Sequence, residues 1–282
     1  MDNYREILFP YAYNILGSSD DANDAIQDVV TKHYIANKSN IENEKNYLIK
    51  GVINQAINIK NKNKKLVSDE VWLPEPIETE SADTTLCKEE ILSYSILVLL
   101  EKLNSKERAV FILKEAFNYS HNDITLVLDC SVENSRKLLS RAKQKLKKLS
   151  KTPINLKRSE IPNTYLEKYV EALKGNDIKG LENFLSKDVS IIADGGGVVK
   201  VVRSITIGNE SATKLLSLVY EKFQKHQEIK IREINHQPAI LYFENKKLQA
   251  CQVIDIDQNT GNFLHVFAIL DPQKLNKIKF IK

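Results

Sequence analysis

Apolar residues in the first half of the chain recur at the spacing of amphipathic helices. Two helices are predicted over residues 4–16 and from Ser19 or Asp20 to residue 36, with a break at Gly17. A third helix is predicted over residues 44–61. Helical spacing resumes after Glu89, in ILSYSILVLLEKL and in NSKERAVFILKEAF, and the second of these has a cap at Asn104 or Ser105. This half is therefore predicted to be all-α.

Between residues 118 and 148, two helices are predicted on either side of a polar turn. The apolar positions have the spacing of crossing helices: Ile124, Val127, Leu128, Val132, Leu138, Leu139, Ala142, Leu146 and Leu149. Ser131 is a natural N-cap, because its side-chain oxygen can accept hydrogen bonds from the next turn, near Asn134. The pattern is typical of a DNA-binding helix-turn-helix, and an amphipathic hairpin with a solvated lysine face has the same pattern.

Charge is segregated along the 282 residues, although the net charge is only +4. The second helix of the pair and its end carry eight basic residues against the single acid Glu133: Arg136, Lys137, Arg141, Lys143, Lys145, Lys147, Lys148 and Lys151. Aspartates precede the first lysine-rich stretch, and a second acidic block covers residues 69–90. Basic segments can hold nucleic acid, whereas acidic segments avoid it or meet a basic protein surface.

The second predicted helix has a polar face formed by Asp21, Asp24, Gln27 and Asp28, because its apolar residues share the opposite face. Acids in a first turn also stabilise a helix through its dipole. The face is therefore either ordinary helix chemistry or a docking surface for a protein.

The third helix ends in NIKNKNKK, where lysines alternate with asparagines. Such side chains can contact phosphates and base edges, and Tyr47 near the helix start could stack on an exposed base. A frayed polar helix end explains the lysines equally well, and a tyrosine at this spacing is more often part of the core.

Two linkers and a different domain complete the pattern. Residues 67–90 and 151–162 contain prolines and lack periodicity, and Trp72 and Leu73 in the first linker are expected to dock on a neighbouring domain. Helices are predicted over residues 165–174 and 178–185. β-Branched runs follow over residues 189–194, 197–207, 228–234, 238–244, 247–257 and 263–270, with a helix after the second run. This order predicts an α+β domain with a curved, mainly antiparallel sheet that encloses a pocket.

Composition adds few constraints. An apolar fraction of 42% indicates a globular chain of two or three domains. No run of about 18 apolar residues and no signal-peptide pattern is present, so a cytoplasmic protein without a membrane partner is expected. Cys87, Cys130 and Cys251 lie far apart and are expected to be free thiols. No metal or other cofactor is predicted.

Five short motifs occur in a fixed order along the chain: WLPEP (residues 72–76), RAVFILKEAF (108–117), DGGG (194–197), NHQPA (235–239) and DPQKL (271–275). Together they resemble the extracytoplasmic-function (ECF) sigma factors with a fused C-terminal SnoaL-like domain. The resemblance implies a multidomain protein. Its parts are a sigma region 2 domain (1–66), a linker (67–90), a region 4 helix-turn-helix domain (91–150), a second linker (151–162) and a SnoaL-like domain (163–282).

The resemblance also implies site residues and partners. The acidic face at Asp21, Asp24, Gln27 and Asp28 would dock on core RNA polymerase. Promoter DNA would contact the third helix at the −10 element and the last helix of the pair at the −35 element: Tyr47, Lys50, Asn54, Asn58, Lys60, Lys62, Arg136, Lys137, Ser140, Arg141 and Lys143. The regulatory contact between domains would involve the three C-terminal and linker motifs: Trp72, Leu73, Pro74, Asp194, Gly195, Gly196, Gly197, Asp271, Pro272, Lys274 and Leu275.

Several residues depart from the family pattern. Asn54 and Asn58 stand where the family usually has arginine and aspartate, and lysine lacks the bidentate fork of arginine, so base preference is left open. Asn118 and Asp129 replace glycines but tolerate left-handed backbone angles. Asp271 replaces an asparagine, and DGGG could also be a plain hairpin turn.

Three functions are weighed for the whole chain. The first is a sigma factor, which is not an enzyme, with its activity modulated by the C-terminal domain. The second is a ligand-sensing helix-turn-helix regulator that works without polymerase. The third is a SnoaL-like isomerase or hydrolase with Asp194, His236, Asp255 or His265 as a base, although no catalytic spacing supports it. A small-molecule ligand in the C-terminal domain is compatible with all three.

Overall fold

The computed structural model describes residues 2–35, 43–63, 71–79, 89–149, 163–202 and 204–278. The chain divides into two compact units. The first comprises Met1–Ser68, Asp83–Leu92 and Ile96–Leu156, and the second comprises Asp69–Ala82, Ser93–Ser95 and Lys157–Lys282. Within the described ranges, no helix combines the length and apolar character needed to cross a bilayer.

Three helices open the first unit: α1 (Asp2–Leu16), α2 (Ser19–Ile35) and α3 (Glu44–Asn63). The predicted break at Gly17 is confirmed. Its φ of 75° is accessible to glycine, and its N–H donates to the Tyr13 carbonyl at 2.7 Å. The helices pack on one another through buried side chains such as Ala25 and Ile53.

The helix-turn-helix prediction is confirmed in the rest of the unit. Helices α4 (Tyr94–Leu100), whose first two residues are counted with the second unit, and α5 (Ser105–Phe111) come first, and α5 continues into a π-helical turn, Ile112–Ala116. The pair itself is α6 (His121–Leu128) and α7 (Val132–Leu149). Asp129 takes a φ of 46° in the turn, and the Asn134 N–H donates to Ser131 Oγ at 3.1 Å, as the cap requires.

The second unit is an α+β domain, as predicted. Its helices are α8 (Asn163–Lys174), α9 (Ile178–Phe184), α10 (Asn209–Val219) and α11 (Pro272–Leu275). Its strands are β1 (Leu185–Asp194), β2 (Thr206–Ile207), β3 (Glu228–Ile234), β4 (Gln237–Glu244), β5 (Lys247–Ile256) and β6 (Phe263–Ile269). They form one sheet in the order β2-β1-β6-β5-β4-β3, in which only β1 and β6 pair in parallel.

The sheet packs one face against the helices. Register shifts in three strand pairs mark irregularities that bend a sheet. Aromatic side chains fill the space between this face and helices α8–α10, among them Tyr169, Tyr242 and Phe263, each at most 1% exposed. The predicted pocket inside the curved sheet is therefore occupied by the protein's own core.

The strand predicted over residues 197–207 is wrong for most of its length. Only Thr206–Ile207 pairs with β1. Gly196 and Gly197 have φ values of 62° and 71°, and the N–H groups of Val198 and Val199 both donate to the Gly195 carbonyl. The backbone therefore turns, and Val198 is left 71% exposed. β-Branched residues favour a strand only where their side chains can pack against neighbouring strands of a sheet.

Candidate functional sites

A buried ion pair binds the backbone of Leu73 in the first linker. Asp194 Oδ2 lies 2.6 Å from Lys274 Nζ, and the two side chains are 3% and 7% exposed. The same carboxylate oxygen accepts the Leu73 N–H at 2.8 Å, and Lys274 Nζ donates to the Leu73 carbonyl at 2.6 Å. Both backbone polar groups of Leu73 are thus bound by one ion pair, and we call Leu73, Asp194 and Lys274 the linker clamp.

Gly195 and Gly196 of the DGGG motif are required because other atoms lie too close for a Cβ. The Gly196 N–H donates to Asp194 Oδ1 at 2.9 Å, and a Cβ at Gly196 would overlap the carboxyl group of Asp271. A Cβ at Gly195 would overlap the Val199 carbonyl. Asp271 in turn caps α11, because its Oδ1 accepts the Gln273 N–H at 2.8 Å. The motif therefore forms a defined turn that supports the clamp.

Other residues of the linker are also held within the second unit. Leu73 is 1% exposed, as its predicted docking requires, whereas Trp72 keeps 38% exposure and lies with its ring 4.6 Å from Lys274 Nζ. The Pro74 carbonyl accepts the Tyr94 hydroxyl at 2.6 Å. A salt bridge of 2.8 Å joins Glu75 and Lys277. Pro272 begins α11, and Leu275 of the same motif is buried.

A second attachment point was not predicted from the sequence, although it lies in the NHQPA motif. Asn235 Oδ1 accepts the Ile77 N–H, and the Asn235 N–H donates to the Ile77 carbonyl, each at 2.8 Å. Asn235 has a φ of 46° and is fully buried in the turn between β3 and β4. Glu78 also forms an antiparallel bridge to Ile234. Residues 77–79 of the linker therefore lie beside the end of β3, at the edge of the sheet.

The acidic face of α2 is present in the first unit. Asp24 and Gln27 are exposed, and Asp21 and Asp28 are half-buried. Asp28 pairs with Lys32 at 2.6 Å, and Asp21 accepts a hydrogen bond from Asn63 at 3.1 Å. The structure brings the four side chains to one side of the helix, and their role in docking stays a prediction.

The predicted −10 residues on α3 fall into two groups. Tyr47, Asn58 and Lys62 are exposed. In contrast, Lys50, Asn54 and Lys60 form contacts inside the first unit. Lys60 donates to both carboxylate oxygens of Glu101, and its pKa is lowered to about 8 by burial and by Arg108, against the opposing effect of Glu101.

The predicted −35 residues all lie on the exposed side of α7: Arg136, Lys137, Ser140, Arg141 and Lys143. Lys137 pairs with Glu133 at 2.6 Å and Lys143 with Glu115 at 2.9 Å, and both lysines remain more than half exposed. The opposite side of the helix is buried through Leu138, Leu139, Ala142 and Leu146. The arrangement places cations on one face of a helix whose opposite face is buried.

Two of the four predicted catalytic bases, Asp255 and His265, lie together, and Asp194 lies at a different site. The Asp194 carboxylate is occupied by its hydrogen bonds to Leu73 and Lys274 in the linker clamp. Asp255 accepts one hydrogen bond from Gln237 at 2.8 Å and pairs with His265 at 3.0 Å, but Ile254 and Ile256 point into the core, so Asp255 faces the other side of the sheet. In the described ranges, no group of three metal-ligating side chains is found.

An open groove of about 600 Å³ lies beside the glycine turn, lined by Val71 and residues 193–201.

Comparison with known proteins agrees with this architecture. The family model "Sigma-70, region 4" matches residues 93–146. "Probable ECF RNA polymerase sigma factor SigI" of Mycobacterium tuberculosis is 20% identical over 98% of this chain and 93% of its own length. "ECF RNA polymerase sigma factor SigJ" of the same organism is 26% identical over 52% of this chain and 49% of its own.

The crystal structure of M. tuberculosis extracytoplasmic function sigma factor SigJ shares the fold. It matches with a TM-score of 0.77 and 18% identity, over 99% of this chain and 98% of that chain. The match extends over both the helical part with its helix-turn-helix and the α+β domain with its curved sheet. The chain therefore contains a sigma-70 region 4 segment at residues 93–146 and shares its overall fold with the SigJ structure.

Proposed function

We propose that this chain is a promoter-specificity subunit that binds core RNA polymerase and directs it to specific promoters. The observation that carries the proposal is the helix-turn-helix α6–α7, which lies inside the matched region 4 segment except for the last three residues of α7 and presents its cations outward. A helix of this kind enters the major groove, and Arg136 and Arg141 have the fork that suits guanine. It is not an enzyme under this proposal.

Residues on α2 and α3 are assigned to polymerase docking and to the −10 element. The exposed Asp24 and Gln27 on α2 support docking on polymerase, together with Asp21 and Asp28. The exposed Tyr47 supports stacking of a base from the melted −10 strand. Core RNA polymerase and promoter DNA are thus the proposed partners, and the open groove beside the glycine turn is where a small ligand could reach the clamp.

Reconstitution tests the proposal. The full chain with core RNA polymerase should initiate from specific start sites on genomic DNA fragments, whereas core polymerase alone should not. Arg136→Ala with Arg141→Ala should abolish the site preference, and Lys222→Ala, which removes an exposed cation outside the helix-turn-helix, should preserve it. Transcription identical to that of core polymerase alone would overturn the proposal. Tight duplex binding that polymerase does not alter would favour the ligand-sensing regulator instead.

The second unit is proposed to regulate transcription through the linker. The linker joins the helices assigned to the −10 element to those assigned to the −35 element, and the clamp holds it at Leu73. Holding a linker restricts the arrangements that its two ends can reach. Asp194→Asn should therefore change transcription from a fixed promoter. The exposed-pair control Glu210→Gln should not, and equal activity of the two variants would contradict this role.

A further inference from the structure

The open groove of the second unit lies outside the curved sheet, whose interior is filled by aromatic core residues. Val71 of the first linker and residues 193–201 line it. Its volume of about 600 Å³ is in the range of small-molecule sites, whereas a stable protein partner needs about 20–30 residues on each side. The size of the groove therefore favours a small molecule over a folded partner.

The loop that forms most of the wall is apolar and fixed in shape. Val198 is 71% exposed, and Val199 and Val201 line the groove beside it. The N–H groups of Val198 and Val199 both donate to the Gly195 carbonyl, at 3.1 and 3.0 Å. A Cβ at Gly195 would lie 3.2 Å from Val201 Cγ1, so the loop folds back on the glycine turn. A defined loop thus presents the exposed valines, and they favour an apolar ligand.

The two ionisable side chains of the groove, Asp194 and Lys200, differ in their partners. The charge of Asp194 is paired with Lys274 at 2.6 Å. Lys200 is exposed, and within the described ranges it forms no ion pair with a carboxylate. A lysine ammonium attracts a carboxylate by charge and by hydrogen bonding. The groove therefore combines an apolar wall with a single unmatched positive charge.

We propose that this groove binds an apolar carboxylate of the fatty-acid class, with its chain on the valines and its carboxylate near Lys200. Such a ligand contacts Val71, two residues before Leu73, and Gly195, next to Asp194, so it reaches both sides of the linker clamp. Ligand binding is therefore expected to alter the clamp. The effect on transcription rests on the proposed function, whereas binding itself does not.

Tryptophan fluorescence measures binding directly, because Trp72 is the only tryptophan of the chain and follows Val71. Titrating the full chain with decanoate, below the concentration at which it forms micelles, should change the emission to saturation. From hexanoate to decanoate, each added CH₂ should tighten binding about two- to fourfold, because an open groove buries each CH₂ only in part. A change that does not saturate, or affinities that do not rise with chain length, would overturn the proposal.

Two variants separate the apolar wall from the charge. Val198→Ser should weaken decanoate binding about fivefold, whereas Phe223→Ser, which removes an apolar side chain of 70% exposure outside the groove, should leave it unchanged. Lys200→Gln should weaken binding of decanoate and leave binding of the uncharged 1-decanol unaltered. The site is wrong if Val198→Ser and Phe223→Ser lose affinity equally, or if Lys200→Gln loses decanoate and decanol equally. A dimer in sedimentation that Val198→Ser dissociates would place a second copy in the groove instead.

Transcription from a fixed promoter tests the coupling to the clamp. Saturating decanoate should change the yield with the parent chain and leave it unchanged with Val198→Ser. If decanoate binds the parent but the yield stays constant, the coupling between groove and clamp is wrong. If decanoate binds but the chain supports no promoter-specific initiation, the proposed function fails and the ligand site stands.

Discussion

Replacing Asp194 by asparagine should release Leu73 of the linker from the rest of the second unit. The carboxylate accepts hydrogen bonds from Leu73, Gly196 and Lys274, whereas an asparagine has only one acceptor oxygen. Lys274, at 7% exposure, would also keep a buried charge without a counter-ion. Removing one member of a buried ion pair costs about 3–5 kcal/mol, which is a large part of the stability of a typical domain.

Hydrogen exchange is the direct assay, because the Leu73 N–H is protected by its bond to Asp194. Peptides that contain Leu73 and Gly196 should exchange faster in Asp194→Asn, and Lys274→Met in the same chain should recover part of the protection by removing the buried charge. Glu210→Gln is the matched control, since both members of its pair are exposed. The reasoning is refuted if Leu73 exchanges equally fast in Asp194→Asn and in Glu210→Gln.

Three further predictions concern separate features. Gly196→Ala should destabilise the second unit in urea by about 1–2 kcal/mol from the left-handed backbone alone, and by more from the overlap with Asp271; a midpoint equal to that of the parent would contradict this. Burial opposes ionisation of Glu101, but Arg108 and Lys60 outweigh it and hold its pKa below 4.5, so melting followed by circular dichroism should show the helical unit losing stability as the pH falls below about 4.5, and Glu101→Gln should flatten that loss. With Cys87, which lies outside the described residues, replaced by serine, a thiol reagent should label the half-buried Cys130 in the native chain and Cys251 only on unfolding, because burial raises the pKa of the Cys251 thiol; native labelling of Cys251 would refute this.

Local rules predict the helices and the turn residues well. Ser131 caps α7, Gly17 ends α1 and Asp129 takes a left-handed angle, because each depends on chemistry within a few residues of the chain. The same local rules give a wrong prediction for residues 197–207. Their β-branched composition predicts a strand, but the turn at Gly195, Gly196 and Gly197 directs the chain away from the sheet, and most of the segment has no neighbouring strand to pair with.

The sites depend on contacts that no local pattern contains. The motifs at Leu73, Asp194 and Lys274 were expected to act together, but which atoms meet follows from the way β1 and α11 end beside the linker. Asn235 lies in the NHQPA motif, but its hydrogen bond to Ile77 can form only when the β3–β4 turn has folded. The lysines of α3 look alike in sequence, and only the fold separates the enclosed Lys60 from the exposed Lys62.

The sequence distance spanned by the linker clamp has a consequence for synthesis. Leu73 is bound by Lys274, which lies 201 residues later in the chain. A ribosome therefore completes the three N-terminal helices and the helix-turn-helix long before the residue that grips their connection is made. Domains generally fold as units during synthesis, at about 5–20 residues per second, and 125 residues separate the end of α7 at Leu149 from Lys274, so the helix-turn-helix exists for roughly 6–25 seconds with Leu73 unheld. In that interval the nascent chain has the linker clamp open. This open form arises during every round of synthesis, without a signal that breaks the contact between Leu73 and Lys274.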